Sequence, residues 1–200
     1  MGIHQLVSEE ELKSLFDDSL VDSVRNPKLR GHLSGILFRF VKSQAQNPFF
    51  NPQSAYERII NLQGAPVRRE AYKELTELGD SYLMFAGFYP EYLLYMQRYK
   101  RNPMSFGDFV SIGKHAYGNA YGLSRGIHDL TPPVEVIHEL ERGFERAADV
   151  LFGARRRLDF NWESHLMEYF DFISSRLEAD DSRMILQRSE PFVTPSHRIH

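Results

Sequence analysis

The chain reads as an all-α protein, a single-domain helical bundle or orthogonal α array of about eight helices with an irregular C-terminal tail. Three observations point there. Apolar residues recur at helical spacing along most of the chain, and no run shows the strict alternation of a half-buried strand. Proline and glycine cluster between the periodic stretches, as breaks do. The composition is ordinary for a globular protein, with 42% hydrophobic and 26% charged among 200 residues. A chain of this length can bury a core without disulfide or metal staples.

Taken in order, Ser8 and Glu11 have the spacing of a capping box and open the first helix. Its expected face is Leu12, Leu15, Phe16, Leu20 and Val24, and Asn26-Pro27 stops it. Leu29, Leu33, Ile36, Leu37 and Phe40 form the second stripe, which ends near Asn47-Pro48. Two prolines make residues 47–53 a loop. A short helix is expected from Ser54 to Leu62, closed by Gly64 and Pro66. The fourth helix starts at Pro66 or Val67 and buries Ala71, Leu75, Leu78, Tyr82 and Phe85. Pro90 begins a short aromatic helix, broken at Asn102-Pro103. Ser105 and Asp108 cap a sixth.

Thr131-Pro132 is expected to start the seventh helix, because the first turn tolerates a residue without an N–H. Its core face is Ile137, Leu140, Phe144, Ala148 and Leu151, with Gly153 as C-terminal cap. The eighth begins near Asn161 and buries Trp162, Leu166, Tyr169, Ile173 and Leu177. Beyond Ala179 the pattern fails. Residues 1–179 are therefore read as the helical domain and 180–200 as a tail that adds little to the core.

Composition narrows the function. The net charge is −3, so no global field favours nucleic acid or an anionic membrane. There is no cysteine, which excludes thiolate metal sites and a Cys nucleophile and suits a reducing compartment. The start, MGIHQLVSEEE, lacks the basic and apolar regions of a secretory signal. Leu6 stands where N-myristoylation wants Ser or Thr. No apolar stretch approaches the ~18 residues of a membrane span. A cytoplasmic protein is expected. The 15 Phe and 10 Tyr can fill gaps between helices or line a pocket for a flat ligand, and the first use is commoner.

Residues 105–126, SFGDFVSIGKHAYGNAYGLSRG, break the general pattern because they hold five glycines: Gly107, Gly113, Gly118, Gly122 and Gly126. Each glycine inside a helix costs roughly 1 kcal/mol relative to alanine. On a helix, Phe109, Ile112, Ala116, Ala120 and Leu123 share one face. Asp108, Ser111, His115, Gly118 and Gly122 share the opposite one, and these five are the candidate ligand-binding residues. Such a helix belongs in the middle of a domain. The glycines either admit a neighbouring helix, with His115 a satisfied core residue, or open a groove into which Asp108, Ser111 and His115 project. Gly118–Gly126 could also be a loop. Close packing is the commoner use, and on that reading Gly118→Ala and Gly122→Ala would both destabilise.

Three segments carry a resemblance: ELGD at Glu77–Asp80, FAGFYP at Phe85–Pro90 and GKHAYG at Gly113–Gly118. In order and spacing this LGD, GF-x-P, G-x-x-AY pattern resembles a group of uncharacterised bacterial helical proteins. The resemblance covers about a quarter of the chain by these segments and their spacing. It implies a bacterial cytoplasmic protein and lends no activity.

Other constellations favour bland readings. Glu135 and His138 have the ExxH spacing of carboxylate-bridged di-iron bundles, and His165 and Glu168 a reversed pair. Glu135, however, lies opposite the apolar face of its helix. Asp17, Asp18 and Asp22 fit a solvated face better than a metal site. Arg155, Arg156 and Arg157 could dock a phosphate, but a solvated linker is the simpler reading. No P-loop, dinucleotide fingerprint, HExxH or nucleophile elbow occurs. No cofactor or metal is expected. The leading reading is a non-enzymatic helical binding or regulatory protein, with another protein or itself as partner, or a small molecule in a groove. No membrane partner is expected, and nucleic acid is disfavoured. The alternative is a helical enzyme, or a cofactor- or metal-binding protein, with a site near His115.

Overall fold

Capping side chains, prolines and glycines decide where the helices begin and end. The computed structural model describes residues 9–41, 51–90, 93 and 104–158. Among them are seven helices and no strand: α1 (Glu9–Leu20), α2 (Pro27–Val41), α3 (Pro52–Gln63), α4 (Arg68–Phe88), α5 (Phe106–Leu123), α6 (Val134–Arg142) and α7 (Phe144–Arg157). The all-α expectation holds. Ser8, the eighth helix from Asn161 and the 179/180 boundary lie outside the described residues, as does most of the aromatic helix after Pro90.

Helix α3 starts earlier than expected because the Asn51 side chain accepts from Gln53 N at 2.9 Å, with Pro52 in the first turn. Helix α5 carries the expected capping box, with Ser105 Oγ accepting from Asp108 N and Asp108 accepting from Ser105 N. It runs unbroken through Gly113 and Gly118 to Leu123, so Gly118–Leu123 is not a loop. The chain turns at Gly126, whose φ of 76° suits a residue without a side chain.

Three expectations are corrected. Helix α1 ends at Leu20, six residues before the Asn-Pro stop, in a turn where Ser23 N and Val24 N both donate to Leu20 O. Its Leu15 is 47% exposed. It stands ~100° around the helix from Phe16, off the line of Leu12, Phe16 and Leu20. The expected seventh helix is two helices. Gly143 ends α6 by donating to Glu139 O, and α7 starts at Phe144. The core face hides this break, since Ile137, Leu140, Phe144, Ala148 and Leu151 are all buried across it. Gly153 is no cap but lies within α7, which continues to Arg157.

Helix α4 is the spine. From Leu78 to Phe88 every residue is buried, the mark of a helix enclosed on all sides. It packs on α5 and α7, while α5 also meets α6 and α3. Close approach is made by glycine. A Cβ on Gly79 would lie 2.6 Å from Tyr117 Cε1, and one on Gly87 would lie 2.8 Å from both Ala148 O and Leu151 Cβ. One on Gly113 would collide with the Phe144 ring. These glycines let α4 meet α5, α4 meet α7, and α5 meet α7. Aromatic rings fill the remaining gaps, with Tyr82–Phe109 centroids 5.3 Å apart and Tyr117–Phe144 centroids 6.1 Å apart. Helices α1 and α2 pair with each other, α1 against α7 and α2 against α4 and α6.

Candidate functional site

Helix α5 has two faces of different character. The inner one buries Phe109, Ile112, Gly113, Ala116, Tyr117 and Ala120. Leu123, expected on it, is only half-buried. The outer face lies between α3 and α6 and carries the five candidate residues. They share a side of the helix but not a point, because Asp108 and Gly122 are separated by about 21 Å of helix rise.

Asp108 Oδ2 is engaged in the cap, accepting from Ser105 N at 2.6 Å and from Ser105 Oγ at 2.7 Å. Ser111 Oγ bonds the Tyr56 hydroxyl of α3 at 3.2 Å. His115 is exposed, not a core histidine. Its Nδ1 donates to Ser111 O at 2.8 Å, because a carbonyl can only accept. That bond sets the tautomer and leaves Nε2 as an acceptor. The Tyr56 ring meets His115 edge-on, centroids 5.7 Å apart. One turn on, Asn119 accepts from Gln63 of α3 and donates to His115 O. The α3 side of the strip is thus closed by side-chain bonds.

Gly118 faces α6, and a Cβ there would meet the Glu141 side chain, tightest at Oε1, 3.3 Å away. Glu141 Oε2 accepts from His138 Nδ1 at 3.3 Å, and His138 stacks on Tyr121 with centroids 4.4 Å apart. A Cβ on Gly122 would meet nothing within 4 Å. Gly122 serves no close packing, against the expectation for it, whereas a methyl on Gly118 would press on the Glu141 side chain, which would have to give by a few tenths of an ångström. Ser111 and His115 are not joined through their side chains, so no nucleophile–base pair is formed between them.

A second constellation lies on the other side of α5. The Asp80 carboxylate of α4 sits in the interior among three donors. His32 Nε2 donates to Oδ1 at 2.9 Å, the Tyr117 hydroxyl to Oδ1 at 2.7 Å and Arg39 Nη2 to Oδ2 at 2.7 Å. Burial opposes its ionisation, but the His32 and Arg39 charges and the hydrogen bonds from His32 and Tyr117 outweigh that and hold the carboxyl below its ordinary range. The same burial, with the neighbouring carboxylate, pushes the Tyr117 phenol well up, so it stays a neutral donor. Nearby on α4, Tyr72 donates to Pro132 O at 2.6 Å, and its phenol too is raised, by burial and then by Asp80 and Glu135. The cluster joins α2, α4 and α5.

Sequence reasoning did not single out His32, Arg39, Asp80 and Tyr117 as a group. One signal was present: Asp80 is the only acid between Leu78 and Tyr89, in a stretch too apolar to face water. The LGD and G-x-x-AY segments meet here in space. Gly79 makes room for the ring whose hydroxyl bonds Asp80.

The remaining candidates are occupied elsewhere. Glu135 turns to Lys28, 2.6 Å away at the surface. Asp17 pairs with Arg30 at 3.0 Å. All three arginines expected as a linker stand in the last turn of α7, and two of them are bonded to other elements: Arg155 Nη1 donates to Phe88 O at 2.6 Å, capping α4, and Arg157 donates to Ser23 Oγ at 2.8 Å. Among the described residues no group of three His, Asp or Glu converges as a metal site, and no helix is long and apolar enough to cross a membrane. No protein-family model, curated protein or solved structure matches the chain.

Proposed function

We propose that the chain is a non-enzymatic helical binding protein that takes a protein partner along the outer face of α5, between α3 and α6. The observation that carries the reading is the open space at Gly122. A glycine that weakens a central helix by roughly 1 kcal/mol, with no packing at Gly122 to offset it, fits a surface kept low for something to lie on. Large exposed side chains stand on the two helices that meet here: on α3 Tyr56, beside Ser111 and His115, is 37% exposed and Ile60 63%, and on α5 Tyr121 is 38%. Exposed aromatic and aliphatic groups around small residues are what a docking helix or strand uses as anchors. A bacterial cytoplasmic setting, which the resemblance implies and the lack of cysteine suits, belongs to the same reading.

The second reading is an enzyme or a ligand-binding protein with its site at His115, favoured by the fixed tautomer that leaves Nε2 as an acceptor in solvent. A photoreactive residue installed in the full chain at Ile60, or alternatively at Val21, which is exposed in the turn after α1, separates partner binding from chance contact. Crosslinked products in growing cells should concentrate at position 60. Equal yields at the two positions, or products only at 21, would contradict the proposal.

A further inference from the structure

We propose that Arg39, held from behind by the buried Asp80 carboxylate, binds a small oxyanion, carboxylate or phosphate, on the edge of its guanidinium that Asp80 leaves free. The inference is independent of the partner-binding reading for α5. A guanidinium offers five N–H donors in a rigid fork. One of them, on Nη2, is engaged by Asp80 Oδ2, and Asp80 is the one carboxylate paired with Arg39 among the described residues. The side chain is 37% exposed, while that of Asp80 is 8% exposed. The Asp80 cluster therefore opens to solvent through Arg39.

Preorganisation and room add to this. His32 and Tyr117 fix the carboxylate from two other directions, so the guanidinium is tethered at Nη2 to a fixed point, and a tethered fork binds an oxyanion with less ordering left to do. Gly35, one turn back on α2, would place a Cβ only against Arg39 Nη1, at 3.5 Å, and Gly31 would meet nothing within 4 Å. The helix is low beside the head group. Arg39 gives Asp80 one donor and its charge, and its remaining N–H donors are left for an anion outside.

The test uses the full chain at constant ionic strength, with chloride replaced stepwise by inorganic phosphate or by acetate. The readout is the Arg39 Nε–Hε resonance together with the melting temperature. A saturable shift with either anion is expected, and the tighter of the two names the class. Arg39→Lys keeps the pair with Asp80 but loses the fork, and should bind about tenfold more weakly. The wild-type titration needs no variant, so misfolding of Arg39→Lys cannot mask the answer. Shifts that grow linearly without saturation mean an adventitious ion only and overturn the proposal, as would equal affinity in Arg39→Lys.

Discussion

At the scale of single residues, Asp80 organises the interior. A carboxylate so deeply enclosed survives because three donors from two other helices surround it. Asp80→Asn should cost about 2–4 kcal/mol by chemical denaturation, below the full cost of breaking a buried pair because Arg39 keeps part of its hydration. The pH dependence follows from the lowered carboxyl. Since the folded value lies below the unfolded one, of about 4, the ionised group stabilises the fold above that pH and stops doing so as pH falls through the folded value. The stability gap between wild type and Asp80→Asn should be widest near neutrality and narrow in acid. A gap that is the same near neutrality and in acid would mean that the charge is not what Asp80 contributes. The raised Tyr117 phenol acts at the other end: its contribution is present at neutral pH and is lost as pH rises past about 10 toward the folded value. Of this cluster the sequence made only the acid visible, because its partners lie 37 to 48 positions away and no local pattern links them.

At the scale of elements, the helices were legible where one face is apolar and the break is marked by proline or a cap. Ser105 and Asp108 fix the start of α5 as their spacing suggests. The break at Gly143 was not legible, since the apolar register passes through it unbroken and only the Gly143 bond to Glu139 O marks the end of α6. Glycine had the same ambiguity. Identical in sequence, Gly113 and Gly122 differ only in what stands opposite them, Phe144 and Tyr82 for one and solvent for the other. The clearest packing glycine is Gly87, because a Cβ there would meet the backbone oxygen of Ala148, which cannot swing aside as a side chain can. Gly87→Ala should lose roughly 1–3 kcal/mol despite its better helix propensity. A thermal melt at or above the wild-type midpoint would show that α4 and α7 are farther apart than described.

For the whole molecule, an inner set of residues holds the helices together and an outer strip is left over. Gly79, Gly87, Gly113 and the Asp80 cluster bring α2, α4, α5 and α7 into contact. The outer residues of α5 are tied to α3 through Tyr56 and Asn119, lie near α6 at Gly118, and are open at Gly122. The all-α class and the central place of α5 were readable from periodicity alone. The candidate strip was readable as a face, but which of its glycines pack was not, because that depends on neighbours distant in sequence. The most direct test of this division is a side-by-side thermal melt of Gly113→Ala and Gly122→Ala. The account predicts that Gly113→Ala, forced against the Phe144 ring, loses roughly 1–3 kcal/mol and melts about 2–10 °C lower. Gly122→Ala should match or exceed wild type by up to about 1 kcal/mol, since its methyl enters open space on a helix. If both variants melt well below wild type, the outer face is packed and no free strip exists. If neither does, the inner face is not the close-packed one.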